Sequence, residues 1–183
     1  MKEKKLASTI INYSLNVKEN EFVLIEAGII AKNLVKELVK EMTTEEKTGL
    51  IHGAGLFRNS GVPRLNIPPV IMSDGPLGVR FDFKDNEWLR INEEKCTVSW
   101  MISGTALAST WNEELAEKVG DTLGMEARGR GKDIILAPGI NIHRTPLCGR
   151  NFEYMSEDPY LCGKLVARQI KGIQKNDVAA CVK

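Results

Sequence analysis

The chain has 183 residues, 43% hydrophobic and 27% charged, a composition that suits one globular domain with a full core. Its formal net charge of +1 gives no electrostatic basis for binding nucleic acid or an anionic membrane. Cys96, Cys148, Cys162 and Cys181 form no C-x-x-C pair and no zinc spacing, so no metal or cofactor is expected, and the thiols are expected to be free. The first residues are basic, but Asn12, Asn16 and Lys18 interrupt the apolar stretch behind them, and no run is long enough to span a bilayer. A cytoplasmic protein is expected.

Leu6, Ile10, Ile11 and Leu15 are spaced as on one helix face, and residues 21–25 read as a short strand. A second helix is expected over residues 31–42, with Leu34, Val35, Leu38, Val39 and Met42 on one stripe. Thr43, followed by Thr44, Glu45 and Glu46, marks a fresh N-cap with acids in the first turn. Gly53, Gly55 and Gly61 mark loops. The apolar run 67–72 begins with Pro68 and Pro69, which places its start at a sheet margin or in an extended lead-in. An irregular stretch holding Trp88 and Trp100 follows, for which core or loop packing is the expectation.

A helix is expected over residues 113–128, with Leu115, Val119, Leu123 and Ala127 as its stripe. Residues 133–138 read as a buried strand. Residues 141–159 form a polar loop dense in fixed charge, the kind of segment on which scaffolds carry function. Ser156 is the expected cap of a last helix, with Glu157 and Asp158 in its first turn and Leu161, Leu165, Val166, Ile170 and Ile173 as its stripe. Residues 178–183 form a final strand. Strands alternating with helices of ordinary length indicate βαβ units and a parallel sheet.

Polar residues stand at three strand ends: Asp74, the loop through Arg150, and Lys183. In a (β/α)8 barrel such positions converge on one face, where active sites lie. A carboxylate at Asp74 with a guanidinium at Arg80 suits sugar hydroxyls, which need both an acceptor and donors. Arg150 and Lys183 add donors, while Glu153 competes as a structural ion-pair partner of Arg150, and Asp82 as a partner of Arg80.

Ser73-Asp-Gly-Pro-Leu-Gly-Val-Arg80, Thr110-Trp-Asn112, Leu136-Ala-Pro-Gly-Ile-Asn-Ile-His143, Cys148-Gly-Arg-Asn-Phe-Glu153, Ser156-Glu-Asp-Pro159 and Ala180-Cys-Val-Lys183 resemble glycoside hydrolase family 3, in particular its β-glucosidases. The resemblance covers about residues 38–183. It implies an α/β fold, an incomplete (β/α)8 TIM-barrel-type N-terminal domain, and hydrolysis of β-glucosides with retention. Carried over by position, it makes Asp74, Arg80, Arg150 and Lys183 sugar-binding residues. Glu153 is expected to orient Arg150 or Lys183, and His143 to order its loop.

In the family a His follows the lysine directly, the nucleophile is an Asp on a later strand, and the acid/base lies further downstream. No residue here matches those positions. The resemblance therefore implies a truncated enzyme that holds a sugar but is inactive by itself, with no catalytic residue of its own. The alternative is a non-catalytic carbohydrate-binding or interaction fragment. Residues 1–41 are weakly similar to the opening of thermophilic-type metal-dependent aminopeptidases, without that family's metal ligands. They imply an N-terminal extension of different origin ahead of the family 3 portion at residues 42–183, and make an aminopeptidase fragment a distant third reading. The expected partner is a small β-glucoside; the sequence leaves the oligomeric state open. Lys183, as a terminal residue, is expected to fray.

Overall fold

The computed structural model describes residues 32–84, 86–91 and 97–183. The expected helix at residues 6–15, the strand at 21–25 and Cys96 lie outside the described residues, as does most of the expected N-terminal extension. The chain divides into two compact units at Pro69/Val70.

In the first unit, helix α1 (Lys32–Glu41) and helix α2 (Thr44–Ile51) follow one another. Leu38 and Met42, four residues apart, are buried. Val35 and Val39, expected beside them, are 43% exposed, so the buried stripe is narrower than the sequence pattern. Thr43 closes a capping box: its Oγ1 accepts from the Glu46 amide at 3.2 Å, and Glu46 Oε2 accepts from the Thr43 amide at 2.8 Å. Arg64 grips the same carboxylate with Nε and Nη2 at 2.9 and 2.8 Å. That pair, with the Thr43 amide, holds the Glu46 carboxyl below its ordinary range. The expected loop at Gly53 and Gly55 is instead a small antiparallel hairpin of β1 (Gly53–Gly55) and β2 (Arg58–Asn59).

The second unit holds three parallel strands, β3 (Met72–Asp74), β4 (Ile134–Leu136) and β5 (Ala179–Ala180), in the order β3-β4-β5. Asp74 lies beside Leu136, and Ile135 beside Ala180. All three strands are shorter than the apolar runs that contain them. The double proline delays β3, as a residue without an amide proton must. Asp133 joins the sheet at its entry: its amide donates to Ile71 O at 2.8 Å, and its Oδ2 accepts from the Ile71 amide at 2.8 Å.

Between β3 and β4 run helix α3 (Gly104–Ser109) and helix α4 (Glu113–Gly129); helix α5 (Pro159–Gln174) connects β4 to β5. Helix α3 was not anticipated, because six residues are too few to display a period. Asn112 caps α4, its Oδ1 accepting from the Leu115 amide at 2.9 Å. The cap of α5 is Asp158, not Ser156. Its carboxylate takes the Tyr160 and Leu161 amides at 2.9 and 3.3 Å, while Ser156 Oγ accepts from the Asp158 amide. Pro159 decides this, since its preset φ and missing N–H suit the first helical position.

The buried face of α4 is Ala116, Gly120, Leu123, Gly124 and Ala127, rotated from the expected stripe so that Leu115 and Val119 are only half-buried. Glycines cause the rotation. A Cβ on Gly120 would stand 2.1 Å from the Gln169 carbonyl oxygen, and one on Gly172 would stand 2.1 Å from that of Glu117. Helices α4 and α5 thus meet backbone to backbone. Leu123 and Ile173 join Val79, Ile135, Ala137 and Val178 in one core cluster against the sheet, and Leu107, Ala116, Met155 and Leu165 form a second. Among the described residues, no helix is long and apolar enough to cross a membrane.

Candidate functional site

Parallel strands place their C-terminal ends on one edge, and the candidate residues gather there. Asp74 is the last residue of β3, Arg150 and Glu153 lie in the loop after β4, and Lys183 lies just past β5. Lys183 Nζ donates to Asp74 Oδ1 at 2.6 Å and stands 3.3 Å from Glu153 Oε2. Arg150 Nε donates to Glu153 Oε1. Arg80 Nη1 stands 3.5 Å from Asp74 Oδ2. The five side chains therefore form one alternating row of charge: Arg150, Glu153, Lys183, Asp74, Arg80. Glu153 is 5% exposed, so its charge is tolerated only because cations meet both oxygens. In return it pushes the Arg150 guanidinium above its ordinary basicity, by hydrogen bond first and by charge second.

Local backbone geometry explains why Arg80 returns to Asp74. Gly75 and Gly78 have φ of 143° and 137°, and a Cβ on Gly75 would stand 1.9 Å from the Gly78 carbonyl oxygen. Only glycine tolerates that turn. It brings the Arg80 amide to Asp74 O at 3.1 Å, and the Gly75 amide caps Asp74 Oδ1 at 3.0 Å. The guanidinium of Arg80 then lies 5.5 Å from the Phe83 ring centre and 5.3 Å from that of Trp88, within cation–π range. Phe83 and Trp88 pack edge to face at 5.2 Å. Asp82, the rival acid for Arg80, takes Arg130 and Lys132.

The backbone of Lys183, expected to fray, is hydrogen-bonded on both sides. Its amide donates to Pro138 O at 3.1 Å and its carbonyl accepts from the Ile140 amide at 2.8 Å. His143 Nε2 meets Asn151 O at 3.0 Å, and its amide donates to Ser156 O, so it ties the two ends of the loop and stands outside the charged row. A cavity of about 390 Å³, of the size of small-molecule sites, opens beside the row. Asp74, Arg80 and Glu153 reach its wall, together with Phe81, Trp100 and Phe152. Trp88 and Trp100 are 63% and 86% exposed, so neither is a core residue, though Trp88 does pack on its loop. The aromatic partners of Arg80 and the part of Phe152 escaped the sequence reading; Phe83 and Trp88 on either side of a turn were their one signal. Among the described residues, no three His, Cys, Asp or Glu side chains are grouped to hold a metal ion.

The row offers fixed donors and acceptors in alternation, which is what recognition of several neighbouring hydroxyls requires. A sequence profile of the glycosyl hydrolase family 3 N terminal domain matches residues 76–183, more than half of the chain. The chain belongs to glycosyl hydrolase family 3. Among family 3 relatives, it is 51% identical over 151 residues to beta-glucosidase BoGH3A of Bacteroides ovatus and 46% identical over 149 residues to thermostable beta-glucosidase B of Acetivibrio thermocellus. Each match covers 81% of this chain and 20% of the relative, so the chain spans about a fifth of their length. The structure of beta-glucosidase 3B from Thermotoga neapolitana in complex with alpha-D-glucose superposes with a TM-score of 0.72 at 39% identity, over 81% of this chain and 22% of that one. Beta-glucosidase from Kluyveromyces marxianus in complex with glucose gives a TM-score of 0.73 at 36% identity, over 81% and 17%. The three parallel strands are thus part of a TIM-barrel-type α/β domain of family 3.

Proposed function

We propose that this chain forms the sugar-holding part of a β-glucosidase-type glycoside hydrolase acting on β-linked glucosides with retention. The observation that carries the reading is the alternating row at the C-terminal edge of the sheet, in a chain whose relatives are named beta-glucosidases and whose structural neighbours include two solved with glucose. Asp74 accepts from the sugar's hydroxyls, and Lys183, Arg80 and Arg150 donate to them. Glu153 keeps Arg150 and Lys183 in place, and His143 keeps their loop in shape.

Retaining hydrolysis needs two carboxyl groups about 5 Å apart across the scissile bond, one attacking and one protonated. The two acids of the row do not offer this. They bracket a single ammonium, and their oxygens are occupied by Lys183, Arg80, Arg150 and the Gly75 amide. The chain by itself therefore binds sugar without cleaving it.

Titration of the chain with D-glucose, followed by amide NMR shifts, is expected to saturate. Asp74→Asn is expected to weaken binding at least tenfold, since a hydrogen bond to a charged group contributes about 1.5–3 kcal/mol. Glucose without saturable shifts, or Asp74→Asn binding as well as the parent, sinks the reading. Release of phenol from an aryl β-glucoside by the chain sinks its non-catalytic half. Residues 1–41 we assign to an extension of separate origin, consistent with relatives that match 81% of the chain. Removing them is expected to leave glucose affinity unchanged, and a loss of binding would count against that assignment.

A further inference from the structure

Of the contacts along the charged row, that between Arg80 and Asp74 is the longest. Asp74 Oδ1 accepts from Lys183 Nζ at 2.6 Å and from the Gly75 amide at 3.0 Å. Arg80 Nη1 stands 3.5 Å from Oδ2, at the limit of a hydrogen bond, and its side chain is 40% exposed. Arginine has many rotamers, so a contact of that length does not set where the guanidinium points. The rings of Phe83 and Trp88 supply what it lacks. Their centres lie 5.5 and 5.3 Å from Arg80 Cζ, and the two rings meet at 76°, so they confine a planar cation from two directions. Both rings stand on a closed hairpin. Phe83 and Arg90 form an antiparallel bridge, the Lys84 amide donates to Leu89 O at 2.9 Å, and the Ile91 amide donates to Asp82 O at 3.0 Å. The hairpin's base is pinned where Asp82 takes Arg130 and Lys132, whose side chains are 13% and 11% exposed. Trp88 is nonetheless 63% exposed, so burial does not account for it. Neither Phe83 nor Trp88 lines the cavity beside the row, so neither reaches a sugar there except through Arg80.

Resting on the reading of the row as a glucose site, the geometry points to Trp88, with Phe83, as a positioning residue. Its ring fixes the Arg80 guanidinium toward the sugar and so contributes to glucose affinity without touching the ligand. The chemistry suits the task. A ring attracts the cation through its π-face, which leaves the in-plane N–H donors directed at hydroxyls. A second carboxylate in the place of Trp88 would take those donors and compete with the sugar. The guanidinium is weakly hydrated, so lying against a ring costs it little desolvation, and among aromatic rings the indole binds a cation best.

The test is titration of the 183-residue chain with D-glucose, followed by amide NMR shifts. Trp88→Leu keeps apolar bulk but removes the π-face. It is expected to weaken glucose binding about two- to fivefold, the scale of an exposed cation–π contact, and Trp88→Phe to recover part of that loss. In an Arg80→Ala chain, which binds more weakly from the start, Trp88→Leu is expected to change nothing further; glucose is soluble enough to reach the lowered affinity. Site-specific replacement of Trp88 by mono-, di- and trifluorotryptophan drains negative charge from the ring face with little change of shape. Affinity is expected to fall with each fluorine, a response that a purely structural role would not give and that does not depend on any variant losing its side chain. A flat fluorine series overturns the positioning role and leaves the glucose site standing. So does a Trp88→Leu chain that binds as tightly as the parent, or one whose loss persists undiminished in the Arg80→Ala chain. Absence of saturable glucose binding by the parent chain overturns the glucose reading, and the positioning role falls with it.

Discussion

Replacing Gly120 with alanine tests whether α4 and α5 pack as described, because the same exchange at Gly163 should have the opposite sign. Both glycines sit inside helices, where alanine is favoured by about 1 kcal/mol. At Gly163, on the exposed face of α5, a Cβ meets nothing within 4 Å, so Gly163→Ala is expected to stabilise the chain by up to that amount. At Gly120 the Cβ would stand 2.1 Å from the Gln169 carbonyl oxygen, with Gln169 C and Cα at 2.8 and 2.9 Å. Ordinary contact begins near 3.4 Å, so the helices must part by more than an ångström against backbone that cannot rotate away. Overpacking of this kind costs about 1–3 kcal/mol, and the gap it opens around Leu123 and Ile173, both fully buried, forfeits dispersion contacts as well. After the helix propensity is offset, Gly120→Ala should destabilise by about 1–2 kcal/mol. Urea unfolding followed by circular dichroism reads both variants as shifts of the midpoint at constant slope. A Gly120→Ala midpoint that rises alongside that of Gly163→Ala would refute the close packing and the rotation of the α4 face derived from it.

Glu153→Gln keeps the shape of the side chain but turns one of its cation-facing oxygens into an N–H donor. Glucose affinity should fall about tenfold as Arg150 and Lys183 lose their anchor, and titration calorimetry giving an unchanged constant would show that the two cations hold position unaided. Acid should also be informative. The Lys175 hydrogen bond, first, and its charge with that of Arg168 hold the Glu117 carboxyl below its ordinary value of 4.5 in the folded state. A carboxyl depressed by folding stabilises above its unfolded pKa, and that contribution is lost as pH falls through the folded value. Melting temperature is therefore expected to hold near neutrality and fall below about pH 4.5. Lys175→Gln should melt lower than the parent near pH 7 and converge with it in acid; curves that stay parallel would rule the linkage out.

How legible these features were in the sequence depends on the range of the forces involved. Thr43 with Glu46 declares a helix start through contacts three residues long, and that cap was read correctly; Asn112 ahead of Glu113 and Glu114 carries the same kind of signal, though the sequence reading placed only the helix start at residue 113 and not its cap. Ser156 and Asp158 are equally good cap residues, and the choice between them rests on Pro159. The stripe on α4 was right at Leu123 and Ala127 but not at Leu115 and Val119, because Gly120 and Gly124 carry no hydrophobic signal yet set which face α5 approaches. At the site, strand-end logic brought Asp74, the Arg150 loop and Lys183 to one edge. It did not reveal that Glu153 bridges Arg150 and Lys183 together, nor that Phe83 and Trp88 flank Arg80. Both depend on how a turn returns in space. The exposure of Trp100 was equally hidden, since a tryptophan's burial is decided by neighbours distant in sequence.

The contact between Lys183 and Asp74 joins residues 109 positions apart, across both crossovers and all three parallel strands. Nothing local draws these two side chains together. They meet only after β3, β4 and β5 have aligned in register, with α4 and α5 seated above them. The row of charge therefore depends on contacts far apart in sequence, the kind that close at the greatest loop-entropy cost. Any state that lets β5 detach also dismantles the row of charge. If the proposed site holds glucose, its affinity should report how much of the sheet is assembled.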